Sequence, residues 1–263
     1  MVMLLCAATA MVSAQARKSK EELKQERRDR INKQLKEEEE GALVYSKQSA
    51  FGLKLATDGW GIFYEHGKYK TITKTNLWWL EFGEHKNHKE EKQTLVDPTG
   101  TYQLGNPVIY GKINNFYTLK FGLGQQLLIG GKGNKNGVAV TAIYGGGIAI
   151  GYLKPYYISV QDASGNISNI KYSASTDSLF RDPSIIIGSG GFTRGWGEGT
   201  VVPGVHARIA LRFDYGRYNE TLSAIEVGVN AEYYTKDMRI MLDVPAQQFF
   251  INTYVAIAFG GRK

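Results

Sequence analysis

The chain has 263 residues, of which 22% are charged, and it contains 31 glycines, 16 tyrosines and 6 prolines. This charge content argues against wholesale disorder, and the glycines and tyrosines favour tight turns between aromatic-rich strands of one large all-β domain. The only cysteine, Cys6, lies in an apolar N-terminal run, so a chain processed after that run has neither a disulfide nor a thiolate metal site.

The first residues are typical of an export signal. Residues 1–12 are apolar but too few to span a bilayer, and small residues suited to signal-peptidase cleavage follow at 13–16. The alternative is an apolar N-terminal strand or anchor. Beyond residue 16 no apolar run approaches the ~18 residues of a membrane helix, so a chain that enters a membrane must do so as a barrel.

The next segment, residues 17–40, is nearly all charged. It holds nine Lys or Arg and eight Asp or Glu, interrupted by Leu23, Ile31 and Leu35. We expect a solvated helix, because three apolar residues are too few for a coiled-coil or membrane-binding stripe. It serves either as a tether or as a partner-docking helix. The predicted parts of the chain are a signal peptide (1–16), this charged helix or tether (17–42) and a barrel (43–263).

From residue 43 onwards the sequence alternates with the period of two that is typical of strands. Large apolar residues such as Trp78, Leu80 and Phe82 alternate with small, polar or charged ones, so each strand has two chemically different faces. The last strand is expected to close a barrel against the first. The predicted strands lie near residues 43–55, 60–65, 71–83, 115–128, 138–153, 204–215, 222–235 and 249–259.

The fifth strand carries glycine and alanine on one face, which can accommodate bulky neighbours across a narrow interior. Long connections at 85–114 and 155–200 alternate with shorter ones, although the first connection is short too. The longest one is predicted to face outwards and to contain its own hairpin around residues 163–166, and the glycine-rich stretch 185–191 is read as flexible loop.

The distribution of charge predicts which face points outwards. A soluble barrel such as a lipocalin turns apolar residues inwards, but here the polar faces carry opposite charges and many glycines, whereas the apolar faces are rich in aromatic residues. We therefore expect an eight-stranded antiparallel transmembrane barrel with polar faces inside. Its interior receives Lys54, Glu65, Glu81, Lys120, Arg208, Arg212, Asp214, Glu226 and Glu232.

Buried charges are tolerated when they are paired, and the neighbouring sixth and seventh strands bring Arg208 and Arg212 within potential reach of Glu226 and Glu232. Ion pairing explains these residues without catalysis. The alternative is a polar conduit or an active site.

The small residues before the predicted cleavage site, the alternating strands and the terminal strand from Tyr254 to Phe259 resemble the small outer-membrane β-barrel proteins of Bacteroidota. The resemblance covers residues 43–263 and implies the architecture of an outer-membrane barrel. It implies no particular activity. We also expect the N-terminal segment to lie in the periplasm.

Two clusters are candidate sites. Glu84, His85, His88 and Glu90 combine imidazole and carboxylate groups that suit a borderline metal, although their spacing matches no metal motif and nearby lysines oppose a cation. His206, Ser223 and Glu226 offer the residue types of a hydrolase, but Ser223 lies on the opposite face of its strand from Glu226. We therefore predict no catalytic and no cofactor-binding residues.

The sequence pI of about 9.2 suggests contact with anionic lipid headgroups or an acidic partner, and no nucleic-acid-binding module accompanies it. The expected function is that of a non-enzymatic accessory or scaffold subunit of a larger outer-membrane complex. By resemblance to the Bacteroidota barrels, that complex would serve secretion, import or barrel assembly. The alternatives are a small-solute channel and a lipid-modifying enzyme.

Overall fold

A computed structural model describes residues 24–25, 27–28, 46–96, 103–132, 137–216 and 220–263. The predicted signal peptide lies outside these residues, and so does the charged segment apart from four positions, so both stay predictions. No helix in the described part of the chain combines the length and the apolarity needed to cross a membrane.

The described residues form thirteen strands, eight of which make a closed barrel in the order β1-β13-β12-β11-β7-β6-β3-β2 with antiparallel pairing throughout. The strand β13 closes on β1, as expected, with Phe259 opposite Phe51. The strands are β1 (Lys47–Ala56), β2 (Gly59–Thr71), β3 (Lys74–His85), β4 (Lys92–Val96), β5 (Gln103–Ile109), β6 (Asn114–Gly130), β7 (Ala139–Pro155), β8 (Tyr157–Gln161), β9 (Ile167–Lys171), β10 (Ile186–Ser189), β11 (Thr200–Asp214), β12 (Thr221–Met238) and β13 (Gln247–Arg262).

The faces of the barrel strands are oriented as the charge pattern predicts. On β11, Ile209 is 69% exposed whereas Arg212 is 0% exposed, and on β12 the exposed Val229 alternates with the buried Glu226. The outer wall is thus a continuous apolar surface, and the charges lie inside. Such a wall is stable against lipid and not against water, so the fold is an eight-stranded transmembrane β-barrel.

The small faces of β6 and β7 make room for one large side chain, and for β7 the sequence predicts this. Trp79 projects inwards from β3 and is fully buried. A Cβ added at Gly124 would lie 3.0 Å from Trp79 Cζ3, and one at Gly145 would lie 2.9 Å from its Cη2. The glycines therefore allow the indole to lie close against the neighbouring strands β6 and β7.

The connections differ in length between the two ends of the barrel. Residues 72–73, 131–138 and 215–220 join strands at the end where β1 begins and β13 finishes. At the other end the connections are residues 57–58, 86–113, 156–199 and 239–246. The predicted alternation is confirmed, including the short first connection.

The long connections fold into a body of their own above the barrel, which we call the loop body. It contains the hairpin β4–β5, the sheet β10-β8-β9, a 3₁₀ turn at Ala174–Thr176 and the short helix α1 (Asp177–Arg181). The predicted hairpin is β8–β9. Five buried residues form the core of the loop body, namely Val108, Ile158, Val160, Phe180 and Ile186.

Two sequence expectations are wrong here. The stretch 185–191, read as flexible loop, contains β10, which pairs with β8, and the polar connection 85–114 contains β4 and β5. Tertiary contacts explain β10, because Ile186 is buried against residues that are distant in the sequence. A strand of four residues is also too short to show an alternating pattern. Gly105, with φ +59, allows the turn of β5 to approach the backbone of Gly188.

Contacts between connections tie the loop body together. The Lys112 ammonium lies 2.5 Å from the Glu90 carboxylate, and both side chains are nearly inaccessible. Lys112 also forms a β-bridge with Met241 of the last connection. Arg181 of α1 lies 3.0 Å from Asp243 in the same connection. Three separate connections therefore form one packed unit.

Candidate functional site

The middle of the barrel interior holds two arginines between two glutamates. Arg212 Nη2 lies 2.7 Å from Glu65 Oε2 and 2.5 Å from Glu226 Oε2, and its Nη1 also donates to Glu65. Arg208 lies 3.5 Å from Glu65 and 3.8 Å from Glu226, and its guanidinium stacks 4.0 Å from the centre of the Trp79 ring. The four charges balance, so their burial requires no external ion.

A second charge cluster lies nearer the loop body. Lys54 Nζ donates to both oxygens of Glu81, at 2.9 and 2.7 Å. Lys120 bridges Glu81 at 2.8 Å and Glu232 at 2.6 Å. Glu232 thus pairs with Lys120 rather than with the arginines that the sequence placed nearby. Its other oxygen lies 3.2 Å from His85 Nε2.

Asp214 forms a third cluster at the opposite end, 2.5 Å from Arg262 and 3.6 Å from Lys132. The structure therefore places all nine sequence-predicted interior residues inside the barrel. Neither Arg262 nor Lys132 was in the predicted network. The strand alternation could have placed Arg262 in the network, because it predicts an inward side chain at the rim. It could not have placed Lys132, which lies beyond the end of β6.

The interior is filled by side chains. Trp79, Arg208, Arg212, Phe63 and Tyr234 are each less than 2% exposed. A cavity among the second charge cluster has a volume of about 10 Å³, which is about the room of one water molecule. A packed interior of this kind favours a structural barrel over a conduit.

The structure does not bring the metal candidates together. His85 points into the barrel and contacts Asp58 and Glu232, whereas its neighbour Glu84 points outwards and accepts a hydrogen bond from Trp60 Nε1 at 2.9 Å. Glu90 is paired with a lysine in the loop body, and His88 is exposed. Within the described ranges no three metal-ligating side chains form a group.

The hydrolase residues are also apart. Ser223 lies on the outer face of β12, whereas Glu226 is fully buried inside. His206 Nδ1 lies 3.1 Å from the carbonyl oxygen of Ile148, and its ring meets Trp79 edge-on. Glu226 is engaged by the arginines and by the Tyr254 hydroxyl at 2.6 Å. These contacts orient no general base towards a nucleophile.

A cleft that the sequence did not predict lies between the barrel wall and the loop body. It has a volume of about 740 Å³. Its floor is the outward-facing rim of β2, β3 and β6, with Trp60, Phe82 and Tyr117. The loop body covers it with Phe192 and Trp196, among others. Tryptophan and tyrosine at the strand ends could have indicated this cleft from the sequence, but the position of the loop that covers it could not be predicted. We call it the rim cleft.

Stacked rings form one wall of the rim cleft. The Trp196 ring lies 5.3 Å from Tyr117 and 6.0 Å from Tyr152, and it is within 20° of parallel to each, with interplanar angles of 19° and 11°. The Tyr152 hydroxyl donates to the Trp196 carbonyl, which anchors the covering loop to β7. Burial raises the pKa of the Tyr156 hydroxyl above its ordinary value, so this cleft residue is neutral.

Four lysines and two glutamates line the same cleft. Glu84 lies 3.7 Å from Lys86, and Glu90 is paired with Lys112. Lys92 and Lys154 have no carboxylate among the described residues within ion-pair distance. The lining therefore carries an excess of two positive charges, on a surface that is rich in aromatic residues.

No protein-family model matches the chain, and no curated protein matches it significantly. Three solved structures to which it is similar are Neisserial surface protein A, the N-terminal β-barrel domain of Pseudomonas aeruginosa OprF, and Ail, the attachment invasion locus protein of Yersinia pestis. Each is 8% identical. They cover 82%, 81% and 81% of this chain and 94%, 96% and 94% of their own chains, with TM-scores of 0.36, 0.33 and 0.33.

Proposed function

We propose that this outer-membrane barrel is a non-enzymatic scaffold that anchors a recognition surface for a larger membrane complex. The observation that carries the proposal is the loop body, which has a hydrophobic core separate from the barrel interior. Ordering the connections around a core costs conformational entropy, and the barrel can close without that order. A rigid surface presented to a partner accounts for it.

Two further features support a binding role. The loop body leaves large apolar side chains exposed, among them Ile167 and Val96. Such residues are typical of surfaces that dock other proteins, although single exposed residues are common. In this proposal the loop body faces the cell exterior, and the charged segment 17–40 extends into the periplasm as a second contact. We also propose that the protein belongs to the small outer-membrane barrels of Bacteroidota.

The alternatives have less support. A solute channel needs a passage, and the residues that fill the interior are packed and ion-paired. A lipid-modifying enzyme needs a nucleophile beside a base, and Ser223 and His206 lie on opposite faces of the wall.

Affinity purification from native membranes in mild detergent tests the proposal. Three tagged proteins are compared: the full chain, a variant with residues 157–198 replaced by a short Gly-Ser linker, and a variant lacking residues 17–40 with the export signal kept. We expect the full chain to recover a partner in fixed stoichiometry and each variant to lose part of it. Both variants should keep heat-modifiable gel mobility, because the barrel closes without these segments.

Recovery of the full chain alone would contradict the scaffold. Conductance in planar bilayers would instead favour the channel. Turnover of lipid that His206→Ala abolishes would favour the enzyme.

A further inference from the structure

The rim cleft opens on the lipid side of the barrel. Trp60, Phe82 and Tyr117 occupy outward positions at the loop-body ends of their strands, and apolar outward residues such as Leu119 and Ile150 continue below them. Aromatic residues at strand ends are typical of the interface between hydrocarbon and headgroups. The cleft therefore lies at the level of the headgroups of the leaflet on the loop-body side.

Lys154 is a buried lysine of the rim cleft that has no ion-pair partner among the described residues. It is 2% exposed, and its ammonium donates one hydrogen bond, to the Phe192 carbonyl at 2.6 Å. The rings of Phe192 and Trp196 lie 4.7 and 5.0 Å from Nζ and partly offset its desolvation. A buried ammonium without a counterion is costly, so an anionic oxygen in the cleft would stabilise it.

The other lysines point to the same chemistry. Lys86 and Lys112 are paired with glutamates, but Lys92 of β4 has no acidic partner among the residues that the structure describes. Lys92 and Lys154 thus face one cleft from the loop body and from the barrel wall. Lysine is a point-charge partner for phosphate, and two such groups can hold one phosphorylated headgroup.

The size and the walls of the cleft indicate more than a simple ion. A volume of about 740 Å³ lies within the range of ~300–1,000 Å³ that is typical of sites for drug-sized ligands. Aromatic faces such as those of Tyr157 and Trp196 suit the apolar faces of a sugar, and the apolar wall below suits acyl chains.

We propose that the rim cleft binds the phosphorylated sugar headgroup of a glycolipid in the outer leaflet, with Lys154 and Lys92 as its phosphate contacts. The acyl chains lie against the outer wall of β6 and β7. This inference does not depend on the scaffold role, because it concerns lipid at the barrel wall rather than a protein partner on the loop body.

Native mass spectrometry of the full-length protein tests the site. The protein is refolded into nanodiscs of phosphatidylcholine that contain a small fraction of lipid A or of dephosphorylated lipid A. We expect preferential retention of the phosphorylated form. Lys154→Met, which keeps the length of the side chain, should reduce retention about tenfold, as expected for the loss of one charge-assisted contact.

Two further variants distinguish a loss of binding from a loss of folding. Lys92→Gln replaces an exposed residue and should lower retention by a smaller factor of about three without affecting the fold. Lys171→Met is the matched control, because this lysine lies on the loop body outside the cleft and is paired with Glu198 at 2.5 Å. It should leave retention unchanged. Heat-modifiable gel mobility confirms folding of each variant.

Several outcomes would overturn the proposal. Equal retention by the folded wild-type, Lys154→Met and Lys92→Gln proteins would exclude the two lysines as phosphate contacts. Equal retention of the phosphorylated and dephosphorylated lipids would show that the cleft does not recognise the phosphate group. Full displacement of lipid A by millimolar inorganic phosphate would assign the cleft to a free anion.

Discussion

The orientation of the barrel predicts a large and position-dependent cost for Val229→Arg. Val229 lies on the outer face of β12, midway between Ile225 and Tyr233. Eight residue steps, at about 3.4 Å each and a tilt of about 40°, span roughly 21 Å along the membrane normal. This span nearly matches an apolar band of about 25 Å, so Val229 lies close to the bilayer midplane.

An arginine at the midplane of a lipid-facing wall costs about 2–4 kcal/mol, and near the interface about 0–1 kcal/mol. Ser223→Arg is the matched control, because Ser223 lies on the same face of the same strand close to its end. We expect the folding equilibrium constants of the two variants to differ by roughly thirtyfold or more, the factor that corresponds to a difference of about 2 kcal/mol. Asn230→Arg is a poorer control, because Asn230 is buried opposite Arg208 and donates to Glu232.

Equilibrium refolding into phosphatidylcholine vesicles, followed by tryptophan fluorescence over a guanidinium series, gives the two free energies. Heat-modifiable gel mobility reports the folded fraction independently. Similar costs for Val229→Arg and Ser223→Arg would refute the reasoning, because they would mean that this face meets water along its whole length.

Three further predictions concern the interior and the topology. Gly145→Ala should cost about 1–3 kcal/mol in the same refolding assay, because its Cβ would clash with the Leu123 carbonyl oxygen of β6 and would lie 2.9 Å from the Trp79 indole. Gly130→Ala, with no atom within 4 Å of the new Cβ, should be near neutral, and equal costs would argue against this close packing. Glu226→Gln should cost about 3–5 kcal/mol, since it removes one charge of a buried balanced set; a cost below about 1 kcal/mol would show that water screens these arginines. The topology is tested by cysteine labelling in a chain without the native cysteine. An impermeant thiol reagent on intact cells should label Ser164→Cys in the long connection and should not label Thr73→Cys at the other end of the barrel. The reverse pattern would show that the barrel has the opposite orientation.

The sequence alone was sufficient for the barrel because its signal is local. A strand exposes successive residues to opposite sides, so the period of two reports the two solvents directly. The alternation of Trp78 with Trp79, or of Val229 with Asn230, already separates lipid from interior. Turn residues and connection lengths are equally local, which is why the eight barrel strands, their antiparallel order and the hairpin at residues 163–166 were predictable.

The choice of partners was decided by tertiary structure. The Glu65 that binds Arg212 is 147 positions away in sequence, and Glu232 pairs with Lys120 from across the barrel rather than with a neighbouring arginine. A local pattern places a charge inside, but barrel closure and strand register determine what lies opposite. The same alternation separates His85 from Glu84, although composition suggested that they act together.

The loop body and the rim cleft depend on tertiary structure even more strongly. The strand β10 is stable because Ile186 packs against residues of β5 and β8, and a run of four residues carries no usable period. Lys154 looks like an ordinary strand-end lysine until the covering loop brings Phe192 and Trp196 over it. The amino-acid sequence by itself thus determined which side of each strand meets lipid, because that information repeats every two residues. Only the folded connections decided where a charged group is buried beside an open cleft, because that depends on contacts between segments far apart in the chain.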